Sequence, residues 1–147
     1  MSGVEVRAAC AADEPAWRVL WDGYCEFYET VVPADVTAET WRRLLEPEGS
    51  MFGLVAEHDG EVVGFVNCVL HPSTWGVADS CYLEDLFVSP AARGSGAGRA
   101  LIEAVLQRAR SNGWEKVYWH TREGNARARA LYDSFTKADD FVRYVAD

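Results

Sequence analysis

Positive charge is scarce in this chain. Its 147 residues carry 14 lysines and arginines against 23 aspartates and glutamates, a formal charge of −9. A nucleic-acid partner needs a basic face to neutralise phosphates, so that class of function is set aside. The acidic balance suits a cationic substrate, and it is also what keeps many soluble proteins dispersed. Long apolar runs are missing too, and none approaches the roughly 20 residues of a membrane span. The first residues lack the basic-then-apolar pattern of a secretory signal, so a cytoplasmic location with no membrane partner is expected. Cys10, Cys25, Cys68 and Cys81 show no CxxC spacing and no histidine in metal-ligand rhythm. Buried free thiols and no metal are expected. Two nucleotide signatures are also absent: there is no G-x-x-x-x-G-K-[ST], and the glycines do not fit G-x-G-x-x-G.

What is present has the profile of one globular domain, with 49% hydrophobic and 25% charged residues and a length sufficient for a sizeable core. Val4, Val6 and Ala8 alternate with Glu5 and Arg7 as a half-buried strand. Asp13 is placed as a helix N-cap, with Glu14 and Pro15 in the first turn. Behind it Trp17, Leu20, Trp21, Tyr24, Phe27 and Tyr28 recur at helical spacing, an aromatic stripe expected in the core. Thr37 is a candidate cap for a second helix carrying Trp41, Leu44 and Leu45, closed by Pro47 and Gly49. Residues 51–57 and 61–70 read as strands around His58-Asp59-Gly60, a hairpin signal. A polar loop, 71–79, carries one large aromatic, Trp75, a candidate for the substrate side. Strands are expected at 81–88, 116–121 and 141–145, with Gly113 closing a long helix that includes 101–109.

Two stretches hold chemistry. The first is Val88-Ser-Pro-Ala-Ala-Arg93-Gly94-Ser-Gly96-Ala-Gly98-Arg-Ala-Leu101. Its three alternating glycines leave the backbone bare where strand turns into helix. Uncapped amides there, backed by the positive end of the helix dipole, suit a phosphate. The second is Asn125-Ala-Arg-Ala128-Arg-Ala-Leu131-Tyr132. Asn125, Ala128 and Tyr132 fall at i, i+3 and i+7, one helix face with ends about 10 Å apart. A polar group, a gap left by a small residue and a phenol then face one extended ligand.

Between strand and loop, Glu84 and Asp85 interrupt a β-prone run, where acids are depleted and need partners if buried. Strand alternation sends them to opposite faces unless a bulge intervenes. One is expected to be functional and the other structural.

Val88-x-Pro90 with Arg93-x-x-Gly96-x-Gly98 resembles the acyl-CoA signature of the GNAT superfamily of N-acyltransferases. Asn125-x-x-Ala128-x-x-Leu131-Tyr132 resembles that superfamily's second block, at the expected distance downstream. The resemblance spans nearly the whole chain, though its specific motifs lie in 82–132. It implies an α/β fold, a predominantly antiparallel mixed sheet flanked by helices, in the order β-α-α-β-β-β-α-β-α-β. It implies acetyl-CoA as co-substrate, with the pyrophosphate on the loop formed by Arg93, Gly94, Ser95, Gly96, Ala97, Gly98 and Arg99. The pantetheine arm and thioester would lie along Leu86, Phe87 and Val88 of a strand splayed from its neighbour, with Asn125, Ala128 and Tyr132 on the other side. Tyr82-Leu-Glu84-Asp85 is similar to the strand of spermidine/spermine N-acetyltransferases, whose matching glutamate is the assigned base, and to the small histone/polyamine branch. Tyr132 matches the superfamily's general acid. Tyr28, Trp75, Tyr82 and Glu84 are the expected acceptor contacts, and a homodimer or higher homo-oligomer is the expected assembly. One departure stands out. Many members pass from the second block directly into Gly-Phe and two strands, whereas here Asp133-Ser-Phe135-Thr-Lys-Ala-Asp-Asp140 intervenes before a single expected strand.

The implied activity is acetyl transfer to a primary amine, a small cation or polyamine, by direct attack in a ternary complex. The alternatives are acetylation of a lysine or N-terminus in a protein, or a CoA-binding sensor without turnover. A proton problem attends the first. An alkylammonium titrates near about 10.4 and an unperturbed glutamate near about 4.3, so direct transfer costs roughly 8 kcal/mol. Glu84 therefore needs a raised pKa, a relay water, or a role as counter-charge only.

Overall fold

Alternation and turn chemistry build a five-stranded sheet whose spatial order follows the chain. In the computed structural model, which describes residues 3–147, the strands are β1 (Val4–Ala8), β2 (Met51–His58), β3 (Glu61–His71), β4 (Ser80–Val88) and β5 (Val117–Tyr118). Neighbours are antiparallel except β4 and β5, which run parallel. The β2–β3 turn is the expected one. Asp59 and Gly60 sit at φ 55° and 79°, as a two-residue turn matched to strand twist requires.

Helices cover both faces. On one, α1 (Glu14–Phe27) and α2 (Ala34–Leu44) bury Trp17, Leu20, Trp21, Trp41 and Leu44 against Val55, Phe65 and Phe87. The Trp17 ring stacks on Trp21 at 5.4 Å and tilts against Trp41 at 4.9 Å. Such pairs add about 0.5–1.5 kcal/mol each beyond the burial of their area. On the other face, α3 (Ala97–Asn112) buries Leu101, Ile102 and Val105 against Leu54, Ala56, Val66, Cys68, Cys81 and Leu83. Gly113 ends α3 at φ 70°, as expected. The short α4 (Ala126–Asp133) packs through Leu131 and Tyr132 on the edge of that second core.

Several expectations are corrected. Thr37 lies inside α2, whose N-cap is Pro33, and its buried Oγ1 accepts the Trp21 indole N–H at 3.1 Å. A buried indole needs that acceptor, and a tertiary contact has overridden a local cap. Asp13 does occupy the N-cap position of α1, but its carboxylate serves Arg7, at 2.8 Å to each guanidinium nitrogen, and the Cys10 amide. The Arg7 guanidinium holds Asp13 down to about 2. That pair stabilises the fold above the usual carboxylate range and its contribution is lost as pH falls through about 2. Phe27, counted in the aromatic core stripe, is 56% exposed. Only Cys68 and Cys81 are buried thiols, since Cys10 lies in an exposed turn and Cys25 on the flank of α1.

The largest difference is at the C-terminal end. The fifth strand spans two residues rather than 116–121, and residues 141–145 form no strand. A strand needs a long enough edge to pair with, and β5 offers almost none. Phe141, Val142 and Tyr144 consequently stand 87%, 76% and 93% exposed. Among the described residues, no helix is long and apolar enough to cross a membrane.

Candidate active site

The glycine loop joins β4 to α3 and takes its shape from two left-handed residues. Gly94 and Gly96 sit at φ 89° and 91°, and a Cβ on either would meet nothing within 4 Å. Conformation demands glycine here, and open space faces the turn. Some of its amides are spent internally. Arg93 N donates to Pro90 O, Ser95 N to Ala92 O, and Ala97 N to Ser95 Oγ. Among the described residues, the amides of Gly94, Gly96, Gly98 and Arg99 find no protein acceptor. With no acid in the first turn of α3, the residues present fit a pyrophosphate. The side chains of the two expected arginines are engaged with protein. Arg93 lies 5.9 Å over the Phe87 ring, while Arg99 reaches Ser134 Oγ at 2.7 Å and the Phe135 ring at 4.9 Å.

A first prediction arises here. Gly96→Asp brings a strained φ and a negative charge into the cradle, and acetyl-CoA affinity is expected to fall about tenfold or more. Calorimetry on the folded variant checks this. An unchanged affinity removes the loop from cofactor binding.

Beyond the loop, β4 is open along one edge. It pairs with β3 over its whole length but with β5 only at Cys81 and Tyr82, where Cys81 N donates to Lys116 O at 2.9 Å. Among the described residues, the edge toward β5 has no partner strand from Leu83 to Val88, and Leu86, Phe87 and Val88 lie on it. On the α4 side, Gly98 lets the two helices close, since a Cβ there would stand 3.3 Å from Leu131 Cδ2. Asn125 is the N-cap of α4, its Oδ1 accepting from Ala128 N at 3.2 Å. Its carbonyl is committed to the helix, and only its amide NH2 remains for a ligand. Ala128 and Tyr132 are half-buried. The Tyr132 ring meets Trp119 edge-on at 5.7 Å, and burial pushes its phenol up to about 12.

The acids of β4 do not face opposite ways. Asn67 pairs with Asp85 but Cys68 pairs with Leu83, so Glu84 is the extra residue of a β-bulge. Cys81 and Leu83 belong to the α3-side core, which sends Tyr82 and Glu84 to the α1 side by alternation. The bulge then resets the alternation, and Asp85 and Phe87 also point toward α1. Asp85 accepts from the buried Asn67 Nδ2 at 3.1 Å, while Asn67 Oδ1 has no protein partner. Glu84 is solvent-accessible, yet desolvation by its surroundings, with repulsion from Asp85, raises its pKa. Burial raises Asp85 as well, against the opposing pull of the Tyr24 hydroxyl and the Asn67 amide.

Aromatic side chains wall this face. Tyr24 and Tyr28 contact each other at 4.8 Å at the end of α1, and the Arg122 guanidinium lies 6.0 Å from the Tyr28 ring centroid. Tyr82 stacks on Tyr118 at 5.1 Å. His71 Nδ1 lies 2.8 Å from Pro72 O, which accepts only, so Nε2 is the nitrogen that accepts the Tyr118 hydroxyl at 2.6 Å. His120 Nδ1 lies 3.3 Å from the Tyr82 hydroxyl.

A profile of the acetyltransferase (GNAT) family matches residues 15–136. The chain belongs to the GNAT acetyltransferase family. It is 37% identical over 143 residues to the D-amino-acid N-acetyltransferase HPA3 of Saccharomyces cerevisiae, covering 96% of this chain and 89% of that protein. A crystal structure of ribosomal-protein-alanine N-acetyltransferase from Brucella melitensis biovar Abortus 2308 superposes with a TM-score of 0.81 at 25% identity, over 99% of both chains. The aminoglycoside N-acetyltransferase AAC(6')-Iy in complex with CoA shares the fold at 18% identity, with a TM-score of 0.84 over 100% of this chain and 96% of that one.

This GNAT N-acetyltransferase therefore carries most of the expected residues on β4, on the loop that follows it, and on α1 and α4. Glu84 and Tyr82 lie on the α1 side of β4, Tyr28 ends α1, the glycine loop leaves the end of the strand, and Asn125, Ala128 and Tyr132 belong to α4. Trp75 is not among them. It is 91% exposed on its loop, with only its amide engaged, to Ser73 Oγ. A separate surface groove lies between α1, the β2–β3 turn and Ala91, Ala92, Arg93 and Ser95, where Arg7 is already paired with Asp13 and Glu57. Sequence reasoning missed Asn67, Tyr118 and His71. Asn67 did leave a signal, a single amide inside the apolar run Phe65-Val-Asn-Cys-Val-Leu70.

Proposed function

We propose that this acetyltransferase moves the acetyl group of acetyl-CoA to the primary amine of a small molecule held as a cation on the α1 face of β4. The observation that carries this reading is the bulge, which sets Glu84 and Asp85 together beside the open edge of β4. A lone acid on that face would hold an ammonium. Two acids hold it and also raise each other's affinity for its proton.

The residues divide the work as follows. The free amides at Gly94, Gly96, Gly98 and Arg99 bind the pyrophosphate. The open edge at Leu86–Val88 offers fixed amide donors to the thioester carbonyl, and such preorganised donors stabilise an oxyanion. The amine nitrogen, freed of a proton through Glu84, attacks that carbonyl. A C–N bond forms, the C–S bond breaks, and the sulfur leaves as a thiolate beside Tyr132. The relatives whose names specify D-amino acids and aminoglycosides acetylate small amines, which favours a small acceptor over a protein. The exposed Phe141, Val142, Tyr144 and Val145 support an assembly of two copies.

The test is release of free thiol from acetyl-CoA against an amine panel: amino acids, a polyamine, an aminoglycoside and a lysine peptide. Turnover with small amines and little with the peptide is the expected result. Tight acetyl-CoA binding with no release from any amine would mark a sensor instead, and turnover confined to the peptide would mark a protein acetyltransferase.

A further inference from the structure

We infer that the acceptor carries a carboxylate as well as its amine, and that Arg122, on the loop before α4, is the side chain that binds it. This names the substrate class for the amine-acetylating site above and rests on that reading.

Several arginines of this chain are already paired with acids. In a chain with 23 acids, Arg7 pairs with Asp13 and Glu57, Arg18 with Glu14, and Arg42 and Arg43 with Glu39. Arg122, like Arg93 and Arg108, has neither a carboxylate nor a side-chain hydrogen-bond partner among the described residues, and of the three it is the one that lies at Tyr28. Its place is fixed nonetheless. Asn125 N donates to Arg122 O at 3.0 Å in the turn that starts α4, and the guanidinium lies against the Tyr28 ring. An arginine over an aromatic face keeps its planar fork oriented and free to take a carboxylate in two parallel bonds.

Tyr28 sits between two signs of charge. The neighbouring Tyr24 leads to Asp85 and the bulged Glu84, and Tyr28 feels both the Asp85 charge and that of Arg122 over its ring. An ammonium at Glu84 therefore has a cation, not an acid, beyond it across the tyrosine. A polyamine would place its second ammonium near that cation and be repelled. An amino acid or a similar zwitterion places opposite charges at both ends. Two further cations approach the cleft from other elements. Lys116 Nζ lies 5.8 Å over the Tyr118 ring, and Arg143, on the exposed C-terminal segment, is close enough to Tyr82 to oppose the rise in pKa that burial gives its phenol. Lys116 meets β5 at Tyr118 and Arg143 meets β4 at Tyr82, whereas Arg122 meets Tyr28.

The experiment compares kcat/KM for matched acceptors that differ only in the carboxylate, an amino acid and its carboxamide. Taking the acid-to-amide ratio in wild type against each variant cancels the difference in amine basicity. Arg122→Ala is expected to lower that ratio by about ten- to a hundredfold, mainly through KM for the acid, and Arg122→Lys to restore part of it. An unchanged ratio overturns the inference. So does a fall produced by Arg143→Ala or Lys116→Ala but not by Arg122→Ala, or a rise in KM for acetyl-CoA with the ratio intact. Release of thiol that ignores the carboxylate in wild type overturns this inference alone, whereas no release with either acceptor overturns the amine reading beneath it.

Discussion

Glu84→Gln is expected to lower kcat by roughly a hundredfold, with partial recovery at high pH. The proton of the attacking amine must leave, and an ordinary glutamate is too weak a base to take it directly. Two features of the fold reduce that mismatch. Desolvation by the surrounding protein and the Asp85 carboxyl both raise Glu84, so it holds a proton more readily than a free side chain. A relay through water then makes kcat/KM rise with pH through the raised Glu84 pKa and level off, and glutamine removes that limb. Hydroxide supplies the neutral amine at high pH, which accounts for the recovery. A variant with kcat intact and only KM for the amine raised would make Glu84 a binding residue.

The neighbouring Asp85→Asn gives a different signature, because the shared face couples the two acids. Loss of the Asp85 charge lowers the Glu84 pKa, so the acid limb of the rate profile moves to lower pH. Its effect on stability has the opposite sense to that of a paired acid such as Asp13. A raised carboxyl keeps its proton in the folded state over a window where the unfolded chain has lost it, so stability falls as pH rises through that window. Asparagine removes this cost and keeps an oxygen for Asn67 Nδ2. The thermal midpoint at neutral pH should hold or rise, and a rate profile that stays in place would show that the two acids are uncoupled.

Much of this fold is written locally. The turn at His58-Asp59-Gly60, the stripe through Trp17 and Trp21, and the alternating glycines each carry their own conformational or burial requirement, and each appears where its residues demand. The features that were not legible depend on partners distant in sequence. The bulge at Glu84 exists because Asn67 and Cys68 on β3 fix the register, and no spacing within β4 reveals it. Thr37 reads as a cap until Trp21, sixteen positions earlier, claims its hydroxyl. Residues 141–145 alternate like a strand, but a strand is a pairing, and β5 is too short to supply one. Arg122 carries no motif at all, and only its seat on Tyr28 draws it to the cleft.

Tyr132→Phe is expected to lower kcat by about ten- to a hundredfold while leaving acetyl-CoA affinity nearly intact, as loss of a contact made only in the transition state would. Phenylalanine keeps the packing against Trp119, so the fold is not the variable being changed. The phenol's own acidity defines its role. Burial pushes it up to about 12. A thiol titrates near about 8.5, and giving the proton outright to the departing sulfur would run uphill by roughly 5 kcal/mol, from about 3.5 units at 1.36 kcal/mol each. Donating a hydrogen bond while keeping the proton avoids that climb and still stabilises the developing charge. The nitrogen of the tetrahedral intermediate, cationic once the C–N bond has formed, then loses the proton that the thiolate finally takes up. This role makes a second measurement decisive. An acetyl thioester of a more acidic thiol leaves with less help, so Tyr132→Phe should cost less turnover with that donor than with acetyl-CoA. An equal loss with both donors would place Tyr132 in the packing of α4 rather than at the leaving group, as would full turnover with chemistry rate-limiting.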